Sequence, residues 1–188
     1  PPLLSEISTE VTDRDGEILR VYTVSDGRWR LGSSAAQVDQ TYLNMLIAYE
    51  DKRYYRHHGI YVIAMSRAVV QAVWNGRIVS GGSTLTMQVA RLLEDSGTGQ
   101  WRGKLRQMRL ALTMERRLTK DEILSIYLTR APYGGNLEGV RAASLAWFGK
   151  DPNRLTTAQS ALLVALPQSP ETRRPDRYHA RATDARNR

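Results

Sequence analysis

The chain has no cysteine, which excludes disulfides, zinc knuckles and thiol catalysis and leaves the redox compartment open. No stretch approaches the ~18 to 20 uninterrupted apolar residues that a membrane span needs, and no signal-peptide pattern is visible. If the natural protein is anchored, the anchor is expected to be absent from this chain. Histidine is scarce, three residues in 188 without a companion acid set, so no metal site is expected. Internal repeats, low-complexity tracts and long linkers are missing as well. Neither a recognition-helix arrangement nor an aromatic platform for bases is visible, so no nucleic-acid partner is expected.

What is present suits one globular domain, with or without a small satellite. Hydrophobic residues make up 41% of the chain, enough for a core. Lys and Arg number 27 against 19 Asp and Glu, a net charge of +8 with a pI near 10.0. Such a surplus favours an anionic partner: nucleic acid, an anionic membrane or a phosphorylated substrate. Charge alone does not choose among them.

In the first thirty residues, Val11, Ile18, Val21, Tyr22 and Val24 are punctuated by Asp15-Gly16 and Asp26-Gly27, which predicts a short β-hairpin. From about residue 37 the apolar period becomes helical. Helices are predicted near 37–54, 60–75, 83–94, 102–117, 120–128, 137–148 and 156–165, so the body is mainly α. Thr119 to Glu122 and Thr156 to Gln159 have capping-box spacing, and Gly76 and Gly149 read as left-handed stops. Residues 95–100, with two glycines and little apolar content, are expected to form a mobile loop.

On the first predicted helix Leu43, Leu46 and Ile47 form one stripe, and Glu50 continues it. The carboxylate therefore faces a core or cleft. Burying it costs several kcal/mol unless it is paired, so a partner or a special environment is implied. The plain alternative is a helix-end ion pair with Lys52, Arg53 or His57. His57 and His58 by themselves read as a satisfied helix-end pair.

Two further stretches carry chemistry. In Ser80-Gly-Gly-Ser-Thr-Leu-Thr-Met-Gln-Val-Ala-Arg91 a glycine pair opens a helix whose first turn is full of hydroxyls. Free N–H groups, Ser and Thr there suit an anion or sugar hydroxyls, with Arg91 adding charge, although ordinary capping uses the same residues. In the helix from Trp101, residues Leu105, Met108, Ala111, Leu112 and Leu118 are expected as the core stripe. Lys104, Gln107 and Ala111 share an adjoining face. Glu115 falls on the buried side and is expected to pair with an arginine. The basic residues at 102, 104, 106, 109 and 116 could hold phosphates or simply be solvated.

Taken together these stretches resemble the peptidoglycan glycosyltransferase domain, family 51, of class A penicillin-binding proteins and monofunctional transglycosylases. The resemblance runs from about residue 40 to 170. Glu50-Asp51-x-x-Tyr54-x-x-His57-x-Gly59 looks like the family's first motif, with Tyr54 where Phe is usual. Gly81-Gly82-Ser83-Thr84-Leu85-Thr86-Met87-Gln88 looks like the second, with Met87 where Gln is usual. Lys120-x-Glu122-Ile123-Leu124-x-x-Tyr127-Leu128 is similar to the fourth, Thr129 replacing its Asn, and Ala161-Leu162-x-x-Ala165-Leu166-Pro167-x-x-Pro170 to the fifth. Arg130-Ala-Pro-Tyr-Gly-Gly and Arg174-Pro-Asp-Arg177 are similar to the 1C branch of these proteins.

The resemblance implies a lysozyme-like, mainly α glycosyltransferase fold: an N-terminal hairpin and lead-in over 1–36, the glycosyltransferase domain over 37–178, and a polar tail over 179–188. It implies polymerisation of lipid II into glycan strands, with inversion at the donor anomeric carbon and release of undecaprenyl diphosphate. Glu50 would be the general base, and Lys104, Arg91 and Arg102 would stabilise the diphosphate. Ser83, Thr84 and Gln88 would bind saccharide or phosphate, with Asp51 and His57 beside them as substrate-binding residues. The apolar stretch 61–65 with Val69, Val70 and Trp74 would touch lipid or be core. The implied setting is the extracytoplasmic face of the bacterial inner membrane, with lipid II, the nascent glycan strand and an anionic membrane surface as partners.

Gln107 is the main departure. It stands where the third motif, approximately Arg-Lys-x-x-Glu, has its second catalytic Glu, and Gly103 replaces the Arg while Lys104 is kept. A neutral amide neither holds a divalent ion nor balances charge as a carboxylate does, so use of Mg2+ or Mn2+, and turnover itself, are open. Two alternatives to an active polymerase follow: a weak or inactive relative that still binds lipid-linked glycan, and a lysozyme-like hydrolase. The hydrolase would need a second stabilising carboxylate, and Asp51 is expected on another side of its helix. No Ser-x-x-Lys occurs, so β-lactam binding through that motif is not expected.

Overall fold

The computed structural model describes residues 6–61, 83–94 and 101–188, with Trp101 described by its backbone only. The predicted helix at 60–75, the stop at Gly76, the pair Gly81-Gly82 and the loop at 95–100 lie outside the described residues, except for residues 60 and 61. Helices dominate the rest: α1 Gln40–Glu50, α2 Leu85–Glu94, α3 Trp101–Glu115, α4 Lys120–Arg130, α5 Val140–Phe148, α6 Thr157–Ala165 and α7 His179–Arg186. Four short strands accompany them, β1 Thr9–Thr12, β2 Ile18–Tyr22, β3 Trp29–Arg30 and β4 Leu137–Glu138. The fold is mainly α, as the apolar periodicity predicts.

The chain divides into two compact units, residues 1–46 with 128–188, and residues 47–127. In the first unit β1 and β2 form the expected antiparallel hairpin, with Thr9 opposite Tyr22. Its turn is held by the Asp13 carboxylate, which accepts the N–H groups of Asp15 and Glu17 at 2.9 Å. The second Asp-Gly pair also makes a turn, closed by the Val24 N–H on the Arg28 carbonyl at 2.9 Å. It does not extend the hairpin, however. β3 pairs in parallel with β4, more than a hundred residues later in the chain. That pairing is fastened by buried Arg30, whose Nε donates to Oε2 of buried Glu138 at 2.6 Å.

Helix ends follow their local chemistry. Thr156 and Gln159 cap α6 reciprocally, Thr119 and Glu122 do the same before α4, and Gly149 closes α5 at φ +66°. The stretch 179–188, expected as a polar tail, carries α7, whose Ala182 and Ala185 are buried. Two alanines give too weak an apolar period to announce a helix in sequence.

The middle of the fifth motif is core: Leu163, Val164, Ala165 and Leu166 are buried, whereas Ala161, Leu162, Pro167 and Pro170 are half-buried. Thr129, at the usual Asn position of the fourth motif, accepts the Ser33 N–H at 3.2 Å and donates to its carbonyl at 3.3 Å. The two phrases of the 1C branch meet each other. Gly134, at φ +101°, lies so close to Arg174 that a Cβ would sit 2.6 Å from its Cγ.

In the second unit α3 departs from expectation. Leu105 and Leu112 are 57% and 37% exposed, whereas Gly103, Gln107, Ala111 and Met114 are buried. Both sets have helical spacing, so periodicity could not decide which faces inward. Glycine and alanine let α2 approach closely, and the helix turned that face to its neighbour.

Candidate active site

Glu50 ends α1, half-buried, one turn beyond buried Leu46. Its Oε2 accepts a hydrogen bond from Nε2 of Gln88 at 2.7 Å. Gln88 lies on α2 in a stripe with Thr84 one turn before it and Arg91 one turn after. The partner implied for Glu50 is therefore an amide, and none of the local cations Lys52, Arg53 or His57 makes that contact in the described hydrogen bonds. A neutral donor of this kind orients a carboxylate without neutralising it.

The neighbouring carboxylate is used differently. Asp51 Oδ2 accepts from His57 Nε2 at 2.8 Å and from the Leu85 N–H at 2.9 Å. It thereby satisfies a free donor at the start of α2 and meets the positive end of the helix dipole. Asp51 and His57 are both nearly buried, with side chains 9% and 5% exposed. Expected as substrate-binding residues, they are turned into the fold. His57 Nδ1 is buried without a hydrogen-bond partner among the described residues.

Thr84 caps α2 by accepting the Met87 N–H at 3.1 Å, and its hydroxyl donates to the Gly59 carbonyl at 2.6 Å. This bond joins the first and second motifs. Gly59 has φ +83°, and a Cβ there would lie 2.9 Å from Glu115 Cγ and 3.0 Å from the Ala111 carbonyl oxygen. Only glycine fits against α3 at that point.

The cations gather near the end of α2, at Arg91, and the start of α3, at Arg102 and Lys104. Lys104 Nζ donates to Ser83 Oγ. Its pKa is held below the usual lysine value by burial and by the neighbouring Arg91 guanidinium. Two cations that disfavour each other in this way form a site that an anion would relieve. Arg91 and Arg102 are exposed, and Gln107 is 4% exposed on the packed face of α3, one turn past Lys104.

Glu115 pairs with Lys120 at 2.6 Å, not with an arginine as expected, because α4 begins directly after the short turn that follows α3. Its Oε1 also accepts the Thr86 hydroxyl at 2.6 Å. The role of Thr86 was not legible beforehand, although it sits inside the second motif.

Residues 15–188 match the family described as Transglycosylase. The chain belongs to the transglycosylase family. Its relatives are penicillin-binding proteins. It is 46% identical over 177 residues to penicillin-binding protein 1C of Escherichia coli (strain K12), covering 94% of this chain and 23% of that protein. With penicillin-binding protein 1A of the same strain it shares 34% over 182 residues, covering 97% and 21%. With penicillin-binding protein 1F of Bacillus subtilis (strain 168) it shares 33% over 174 residues, covering 92% and 24%. The chain thus spans about a quarter of the length of these relatives. The crystal structure of penicillin-binding protein 1A from Haemophilus influenzae shares the fold, with a TM-score of 0.50 and 20% identity over 97% of this chain and 18% of that one.

Among the described residues of this transglycosylase domain the donors for a divalent ion do not assemble. No group of three or more His, Asp and Glu able to hold a metal occurs among the described residues. Gln107 supplies an amide, and the Asp51 carboxylate is already taken by His57 and Leu85. Among the described residues no donor set fits Mg2+ or Mn2+, and no step of the chemistry is routed through either.

Proposed function

We propose that this domain polymerises lipid II, with Glu50 as general base. Glu50 takes the proton from the 4-hydroxyl of the acceptor GlcNAc as that oxygen attacks the anomeric carbon of the donor MurNAc. The bond from the anomeric carbon to the diphosphate breaks, undecaprenyl diphosphate leaves with the electron pair, and α becomes β. The observation that carries this reading is the Gln88 amide on Glu50 Oε2 at 2.7 Å, which orients a half-buried carboxylate while leaving its charge in place. Lys104, with Arg91 close enough to lower its pKa, supplies the positive field that a departing diphosphate needs. Ser83 is held by Lys104, and Arg102 stands exposed at the start of the same helix.

Gln107 favours a second reading, a weak or inactive domain that retains lipid-linked glycan, because a buried amide stands where the family has a carboxylate. A hydrolase is less well supported, since the Asp51 carboxylate is committed to His57 and to α2.

The outer face of α3 suits an anionic membrane surface. Leu105 and Leu112 are exposed there, Arg102, Arg106 and Arg109 are exposed on the same helix, and Arg116 is exposed in the turn just past its end. An apolar ridge edged by arginines is what a helix lying in the headgroup region presents. The domain is proposed to work on the extracytoplasmic face of the bacterial inner membrane because of the family it belongs to, and the ridge supports contact with a membrane surface. Among the described residues no helix is long and apolar enough to cross a membrane.

The test is polymerisation of labelled lipid II in detergent by the native chain, Glu50→Gln and Gln107→Glu, with and without Mg2+ or Mn2+. Activity lost in Glu50→Gln with lipid II still bound supports the polymerase. A silent native chain that binds lipid II and is awakened by Gln107→Glu supports the second reading.

A further inference from the structure

Glu115 lies at the end of α3, and its side chain is 6% exposed. One of its oxygens, Oε1, takes both the Thr86 hydroxyl and the Lys120 ammonium, each at 2.6 Å. Thr86 is fully buried in the first turn of α2. Lys120 opens α4, and its ammonium lies 4.5 Å from the centre of the Tyr54 ring while its carbonyl accepts the Tyr54 hydroxyl at 2.6 Å. Burial, and next the Glu115 charge, raise the pKa of that phenol, so Tyr54 stays a neutral donor. Gly59 packs against Glu115 Cγ and the Ala111 backbone. Parts of the first, second and fourth motifs therefore meet at one carboxylate that belongs to none of them.

The start of α2 is consequently held by both ends of α3: Ser83, two residues before the helix, by Lys104, and Thr86, in its first turn, by Glu115. Gln88 stands two residues beyond Thr86 and grips Glu50. A rotation or slide of α2 would move the Gln88 amide off Glu50 Oε2 and Ser83 off Lys104 together. A buried carboxylate bonded to a hydroxyl and an ammonium resists that slide more strongly than apolar contact alone, because breaking it strands charge in the interior.

The geometry points to Glu115 as a positioning residue for glycosyl transfer, one that aims Gln88 at Glu50 by fixing α2 through Thr86. This rests on the assignment of Glu50 as the base. Its effect belongs in turnover rather than in substrate affinity, since the Glu115 side chain is only 6% exposed and acts through Thr86.

The test measures kcat for labelled lipid II, lipid II Kd and Tm in Glu115→Gln, Glu115→Asp, Thr86→Val, Thr86→Ser and the double variant Glu115→Gln with Thr86→Val. Thr86→Val keeps the shape of a fully buried side chain and so keeps the test alive if Glu115→Gln fails to fold. Expected is a fall in kcat of roughly tenfold or more in Glu115→Gln and Thr86→Val with Kd changed by less than about threefold, a double variant little worse than either single one, and recovery in Thr86→Ser. An unchanged kcat in folded Thr86→Val overturns the inference, as does a loss that follows only the folded fraction. Glu50→Gln separates the two assignments. Activity surviving in Glu50→Gln sinks the base, whereas activity lost there but kept in Thr86→Val sinks only the positioning role.

Discussion

Gln88 Nε2 and Glu50 Oε2 stand 2.7 Å apart, an amide donor on a carboxylate that ends a helix. The bond ties the second motif to the first by their chemistry rather than by backbone packing. Gln88→Leu keeps the bulk and removes the donor, so Glu50 loses its orientation but not its place. Turnover of lipid II should fall roughly tenfold to a hundredfold, equivalent to about 1.4–2.7 kcal/mol at the transition state. Equilibrium binding of lipid II, measured in parallel, should change much less. Full turnover in Gln88→Leu would remove the amide from the mechanism.

Lys104 is the titrating group of the proposed diphosphate site. Its pKa is lowered by burial and by Arg91, so it loses its proton at a lower pH than a free lysine does. Affinity for undecaprenyl diphosphate should therefore weaken on the alkaline side, as pH rises through that lowered pKa and the positive charge disappears. Lys104→Arg keeps its charge throughout and should move the weakening to higher pH. Identical pH profiles for the two proteins would show that Lys104 does not carry the binding.

Gly59→Ala tests the meeting of motifs at α3. The new Cβ would lie 2.9 Å from Glu115 Cγ and 3.0 Å from the Ala111 carbonyl oxygen, at φ +83°. Backbone strain and the close contact together should cost about 2–4 kcal/mol. Denaturant unfolding measures it. A loss well below that range would mean that the first-motif loop can lift off α3 without penalty.

Part of this was legible beforehand. The capping boxes at Thr119 and Thr156 and the left-handed Gly149 are local devices, complete within a few residues, and sequence spacing shows them directly. Glu50 was legible too, because its position on the Leu43 and Leu46 stripe already placed it toward the interior. The faces of α3 were not. Leu105 and Leu112 recur with the same period as Gln107, Ala111 and Met114, and a period says nothing of which neighbour will cover a face. The hold of Asp51 on α2 was not legible for a similar reason, since its partner, the Leu85 N–H, is a backbone group 34 residues away. The parallel pairing of Trp29–Arg30 with Leu137–Glu138 is beyond any local signal.

That long-range pairing has its own test. Arg30 and Glu138 side chains are each 5% exposed, joined at 2.6 Å, with Arg28 and Arg130 also directed at the same carboxylate. Glu138→Leu would take from buried Arg30 its buried partner and leave it only the half-exposed Asp26 carboxylate at 3.0 Å. Stability should fall by about 3–5 kcal/mol, more than a surface ion pair would give. Denaturant unfolding of Glu138→Leu with the unchanged chain measures it, and a loss under about 1 kcal/mol would show that the β3–β4 junction does not depend on the ion pair.

The exposed leucines of α3 separate two readings that the sequence held together. If Leu105 and Leu112 were core, replacing both by Gln would cost several kcal/mol, on the order of 2–5 for each buried leucine lost. At 57% and 37% exposure they should instead cost little, within about 0.5 kcal/mol each. What should fall is retention on vesicles containing anionic lipid, because the apolar ridge between the arginines is gone while Arg102, Arg106, Arg109 and Arg116 remain. Turnover of lipid II in detergent should persist, since both leucines are exposed, away from the packed face that carries Gln107 and Ala111. Loss of vesicle retention at unchanged Tm assigns the ridge to the membrane. Unchanged retention would leave the arginines alone to account for binding, and that residue should then vanish in moderate salt, as bare charge does.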